Sequence, residues 1–141
     1  MLSSTPRRAA QSRSQPVTQI PTVCVVDPRV GDYQGWNAMG EARGLQLKFL
    51  TTAAEALRLA RGQIVDLWVI NSSLPGLSGH ELCGMLKDRQ PRAAVYLVAN
   101  QYTPEAERQA LRHRATLFGC KGGHIHWLDD WLQTTLLATE N

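Results

Sequence analysis

The sequence predicts an α/β fold: a doubly wound, five-stranded parallel sheet with helices on both faces, a three-layer αβα arrangement. Three observations carry it. Strand-sized apolar runs alternate with capped, amphipathic segments along most of the chain. Two runs, Val23–Val26 and Val65–Ile70, are almost continuously apolar, as strands covered on both faces need. The length of 141 residues, 43% of them apolar and 19% charged, suits one domain of ordinary size. Such alternation implies right-handed crossovers and places ligands and switches at the carboxyl ends of the strands.

Residues 1–20 are rich in Ser, Thr, Pro, Gln and Arg and read as a disordered basic tail, leaving 21–141 as the domain. Arg7-Arg8 is followed by no apolar segment, which argues against a targeting peptide. Asp27-Pro28 ends the first strand, because proline has no N–H for a ladder. A helix over about 33–43 puts Trp36, Met39 and Ala42 or Arg43 on one side and stops at Gly44. Leu45, Leu47 and Phe49 alternate with Gln46 and Lys48, the pattern of a strand at or near a sheet edge. Thr52-Ala-Ala-Glu55 is a capping box opening a helix with Leu57, Ala60 and Arg61, ended by Gly62.

Val65 to Ile70 forms the most apolar strand. Ser78-Gly-His-Glu81 is a second capping box, followed by Leu82, Met85 and Leu86 on one helical stripe. Val95–Ala99 is another strand. Thr103-Pro104-Glu105 starts a helix with Ala106, Ala110 and Leu111 facing inward. Residues 115–119 make the last strand, and a helix over about 125–138 carries Leu128, Trp131 or Leu132, and Leu136.

Several function classes are excluded at this level. No window holds the roughly 20 apolar residues of a membrane helix. Cys24, Cys83 and Cys120 form no CxxC pair and no staple framework, a usage that fits a reducing cytoplasm. Of 15 basic residues, Arg7, Arg8 and Arg13 lie in the tail, and the other 12 face 12 acidic ones, so no field for nucleic acid is expected. No GxGxxG, phosphate-loop lysine motif or GxSxG elbow occurs.

The run from Asp66 through Asn71-Ser-Ser-Leu74-Pro75-Gly76-Leu-Ser78-Gly79 resembles the centre of the bacterial response-regulator receiver (CheY-like) family. Asp27 at the end of the first strand and Ala115-x-x-Phe118-x-x-Lys121 around the fifth extend the likeness over about 22–138. The resemblance implies a flavodoxin-like sheet and a phosphoacceptor pocket, which the family builds from an aspartate, a paired carboxylate, a Ser or Thr, and a lysine. Here Asn71 stands at the acceptor position, Pro28 at the usual metal-binding carboxylate, and Ala99 at the hydroxyl residue. Ser73 is left to offer a carbonyl, and Lys121 matches the family's lysine. The family's Lys-Pro step is replaced by Lys121-Gly122-Gly123, and Phe118 matches its switching aromatic.

A carboxamide is a poor nucleophile and carries no charge, and a hard cation needs more anionic oxygen than Asp27 alone supplies. The expectation is therefore a degenerate receiver, not an enzyme, with no cofactor and no metal. Asp27 is expected to be satisfied by loop N–H groups or by Lys121. With no output domain expected to follow residue 141, it would act on a protein partner or on itself in a cytoplasmic two-component-type system. The surface of the fourth helix, fifth strand and fifth helix would be the site, with Phe118, Trp127 and Trp131 as interface candidates, Trp131 reading first as core and Trp127 as either. The alternatives are a phosphotransfer component with an unconventional acceptor such as Ser72 or Ser73, and a small domain binding an anionic ligand near Lys121. Cys120 as a redox sensor and His124-x-His126 as a metal fragment are weaker readings than simple structural roles.

Overall fold

The computed structural model describes residues 20–121 and 128–134. Strand β1 (Thr22–Val26) leads through a short 3-10 turn (Val30–Tyr33) to helix α1 (Trp36–Arg43). Then come β2 (Gln46–Leu50), α2 (Ala53–Gly62), β3 (Leu67–Asn71), α3 (Gly79–Arg89), β4 (Ala94–Ala99), α4 (Pro104–Arg112) and β5 (Leu117–Cys120). Residues 128–134 are helical and make α5. All strand pairs are parallel, in the order β2-β1-β3-β4-β5. The expected doubly wound α/β fold is present, and β2 lies at an edge as its alternation requires.

Alternate residues of each strand point to opposite faces, so the core divides in two. On one face Val23, Val25, Leu67, Val69, Tyr96 and Val98 pack with Trp36 of α1 and with Leu128 and Trp131 of α5. On the other, Cys24, Val26, Trp68, Ile70, Val95 and Leu97 meet α2, α3 and α4. Helix α2 presents Ala53, Ala56 and Ala60, small residues that let it lie close to the sheet. Both capping boxes form: Thr52 accepts from the Glu55 N–H and Ser78 from the Glu81 N–H.

Four local expectations change. The helix expected from about 33 begins at Trp36, because Gly35 takes φ +87°, a conformation that breaks the run after the 3-10 turn. Met85 is 45% exposed, since the buried stripe of α3 runs through Leu82, Cys83 and Leu86 and Met85 falls to its side. Leu111 is exposed as well. The short α4 turns Ala110 inward, and Leu111 lies about 100° further round the helix. The last strand runs Leu117–Cys120 rather than from residue 115.

Trp131 is core and not surface. It is buried among Tyr96, Val98 and Leu128, which removes it from the interface candidates. Trp127, Leu136, His124-x-His126 and residues 1–19 of the expected tail lie outside the described residues.

One side chain joins three elements. Gln90, just past α3, accepts from the Val65 N–H ahead of β3 and donates to the carbonyls of Ala60 and Gln63 at the end of α2.

Candidate functional site

Register builds the site. Val26 pairs with Ile70, so the next residues, Asp27 and Asn71, stand side by side at the strand ends. Adjacent strands lie about 4.8 Å apart, close enough for the two side chains to touch. Asn71 Nδ2 donates to Asp27 Oδ2 at 3.0 Å. Across the sheet Ala99 pairs with Cys120, and the next residue, Lys121, donates its N–H to the Ala99 carbonyl. From there Lys121 Nζ reaches Asp27 Oδ2 at 2.8 Å. Three of the predicted residues thus meet at one carboxylate.

Asp27 has no exposed surface. Besides Lys121 and Asn71, its carboxylate accepts from the Tyr33 hydroxyl at 2.9 Å and, through Oδ1, from the Arg29 N–H at 2.9 Å. Burial pushes its carboxyl up, but the donors from Lys121, Arg29, Asn71 and Tyr33 together outweigh that and hold it below the usual value. Lys121 answers in the opposite sense. Burial pulls its ammonium down, and its bonds to Asp27 and Asp32 raise it overall. Tyr33 is pushed up by burial first and then by the neighbouring Asp27 charge, so it stays a neutral donor.

The other predicted residues hold plainer places. Ser73 is exposed, and its N–H donates to Asn71 Oδ1 at 2.7 Å. Pro28 is exposed and Ala99 buried. Asn100 accepts from Asn71 Nδ2 at 3.4 Å. Every polar atom of the Asn71 amide therefore has a partner. The Ser72 N–H, which would have to attack the Asn71 carboxamide in a deamidation, is bonded to the Val98 carbonyl at 2.8 Å within the sheet. Phe118 is half-buried against the α2–α4 side of the core, its ring 6.2 Å from that of Tyr102.

Two participants escaped the sequence reading. Asp32 binds Lys121 Nζ at 2.8 Å, and Tyr33 binds Asp27. Both sit in the 3-10 turn that bends the chain back over the strand end; a helix assumed from about 33 hides that return. A signal was available in Gly31 and Gly35, which bracket the pair and argue for a turn.

Cys24 and Cys83 are buried free thiols pushed up by desolvation to about 12 and about 11, which makes them poor nucleophiles. Cys120 is half-buried and free. Among the described residues no three His, Cys, Asp or Glu side chains gather to hold a metal ion, and no helix is long and apolar enough to cross a membrane.

A family model described as "Response regulator receiver domain" matches residues 23–126. Among solved structures, the chain is similar to a CheY-like receiver domain protein from Methanospirillum hungatei JF-1, with 19% identity and TM-score 0.76 over 86% of this chain and 98% of that one. The signal receiver domain of an HD domain-containing protein from Pseudomonas fluorescens Pf-5 gives 20% identity and TM-score 0.76, covering 86% and 98%. A response regulator from Burkholderia pseudomallei, described with a phosphorylated aspartic acid, a calcium ion and citrate, gives 24% identity and TM-score 0.70, covering 85% and 72%. No curated protein matches the chain.

A divalent cation, which the receiver resemblance implies, does not fit this donor set. The one buried carboxylate among the described residues, Asp27, already accepts four donors, and the Lys121 ammonium sits on the oxygen nearest Asn71.

Proposed function

The chain belongs to the response regulator receiver domain family, and from that premise we propose that it is a phosphorylation-independent receiver, a cytoplasmic module of a bacterial two-component-type system that works by contact with another protein. The observation that carries this reading is the Asn71 amide at the end of β3, hydrogen-bonded to Asp27, Asn100 and the Ser73 N–H. Aspartyl phosphorylation needs a carboxylate nucleophile, a hard cation beside it and cationic help for the moving charge. An amide supplies no nucleophile. Pro28 brings no carboxylate, Ala99 no hydroxyl, and Lys121 is already paired with two acids.

The Burkholderia relative is described as carrying both an aspartyl phosphate and a cation. Asn71 and Pro28 are the departures that set this chain apart from that chemistry. Retention of the fold with loss of the reaction favours a module read by shape. The same pairing of Lys121 disfavours an anionic ligand there, because an incoming anion would face Asp27 and Asp32.

A partner surface is supported on the α4–β5 side. Tyr102, whose ring lies beside the half-buried Phe118, is 55% exposed, Leu111 on the charge-rich α4 is 68% exposed, and Leu117 of β5 is 38% exposed.

Incubation with Mg²⁺ and acetyl phosphate tests the chemical half. Intact mass is expected to remain unchanged, and a phosphoryl adduct at any residue overturns the reading. For the contact half, Leu111→Glu should abolish recovery of the partner captured by the wild-type chain while leaving the circular dichroism unaltered. Equal recovery by both removes this surface from the proposal.

A further inference from the structure

Two histidines outside the pocket face one another between α3 and α4. The rings of His80, in the first turn of α3, and His113, at the end of α4, have centroids 6.1 Å apart and planes inclined at 38°. The approach is built in several ways. His80 and Gly84 lie four residues apart and share a helical face, and His113 packs over that face where a Cβ on residue 84 would stand 3.5 Å from its ring. The turn after His113 is fixed by Arg114 at φ +69°, whose guanidinium bonds the Gly84 carbonyl at 3.0 Å and Asp88 at 2.9 Å.

The protonation pattern suits metal ligation. His113 Nδ1 lies 2.9 Å from the Gln109 carbonyl, which can only accept, so in the neutral ring the proton sits on Nδ1 and Nε2 is the nitrogen with the lone pair. This is the carbonyl-anchored imidazole commonly found on metal-bound histidines. His80 has a buried Nδ1 with no hydrogen-bond partner. An imidazole nitrogen without a partner is the group a metal would satisfy.

We propose that His80 and His113 form a two-histidine site for a late divalent transition metal such as Zn²⁺, completed by water. A nitrogen-bound metal stands about 2.0–2.1 Å from each ligating atom and so about 3 Å from each ring centroid, placing the rings about 5–6 Å apart. The observed centroid separation of 6.1 Å lies just above that range. Imidazole nitrogen selects Zn²⁺, Ni²⁺ or Cu²⁺ over Mg²⁺ and Ca²⁺, which take oxygen ligands. Cys83 is not a third ligand, since its thiol bonds the His113 carbonyl at 3.3 Å. The bound ion would clip α3 to the end of α4, on the helices that flank the proposed partner surface.

Zinc uptake, measured by competition with a chromophoric chelator, tests the site independently of any phosphotransfer or partner assay. The wild-type chain is expected to bind one Zn²⁺ with micromolar affinity and to gain thermal stability on binding. His80→Gln and His113→Gln should each weaken binding at least about tenfold, while a His124→Gln/His126→Gln variant keeps it. Melting of each variant in chelator, matched to wild type in chelator, establishes that the fold is intact. Unchanged binding in His80→Gln, binding lost only in the His124/His126 variant, or no binding in wild type overturns the proposal.

Discussion

Replacing Asp27 by alanine is expected to cost about 3–5 kcal/mol of stability, the scale for removing one member of a buried ion pair. In a domain of this size that corresponds to a melting point lower by about 10–20 °C. The reason is the number of groups stranded at once. Lys121 Nζ, Asn71 Nδ2, the Tyr33 hydroxyl and the Arg29 N–H all donate to this one side chain. Asp27→Asn should cost less. Its oxygen can take the position shared by Lys121, Asn71 and Tyr33, leaving an N–H to N–H conflict only at Arg29.

The pH dependence follows with a definite sign. The Asp27 carboxyl is held below its unfolded value, so its contribution is present above the ordinary carboxylate range of about 4. It is lost as pH falls below that range and through the lower folded value. Lys121 is raised, so its contribution is present below the ordinary lysine value of about 10.4 and lost only above it. Urea titrations of wild type and Asp27→Ala at pH 7 and pH 3 check the statement for Asp27. The difference between the proteins should shrink at the acid end. A gap below about 1 kcal/mol at pH 7, no more than an exposed pair gives, contradicts the account.

The second large effect is expected at Gly79. A methyl there would lie 2.1 Å from the Asn71 carbonyl oxygen, 2.7 Å from Ser72 Cα and 2.8 Å from the Asn71 carbonyl carbon. All three are backbone atoms, so no rotamer change relieves the overlap. Gly79→Ala is expected to cost about 3 kcal/mol through displacement of α3 from the end of β3. Propensity alone would favour alanine within a helix by about 1 kcal/mol, so the sign of the change separates the two causes. Gly62→Ala, with nothing within 4 Å, provides the control and should be neutral or mildly stabilising. Urea midpoints of the two variants are the measurement.

The fold was legible because its signals are local. Continuous apolar runs at β1 and β3, alternation at β2, and capping boxes at Thr52 and Ser78 each announce an element without knowledge of its neighbours. Inward faces of short helices were less legible. Met85 and Leu111 are apolar by type and exposed in fact, because a helix of about three turns touches the sheet along a narrow stripe whose phase only packing decides. The strand-end residues of the pocket could be named from position, since a parallel sheet brings its carboxyl ends to one edge. Their hydrogen-bond partners could not be named that way. Asp32 and Tyr33 reach the site through a turn whose path depends on Gly35, and Gln90 finds its partners on two other elements.

The Lys121 link joins positions almost the whole described chain apart, Asp27 and Asp32 near its beginning and Lys121 at the end of β5. A contact of such long sequence range has a high closure entropy and forms only after the strands between have assembled. It belongs to the native basin and not to the folding nucleus. Its strength therefore governs how long a folded molecule survives before it opens, with little influence on how fast it was made.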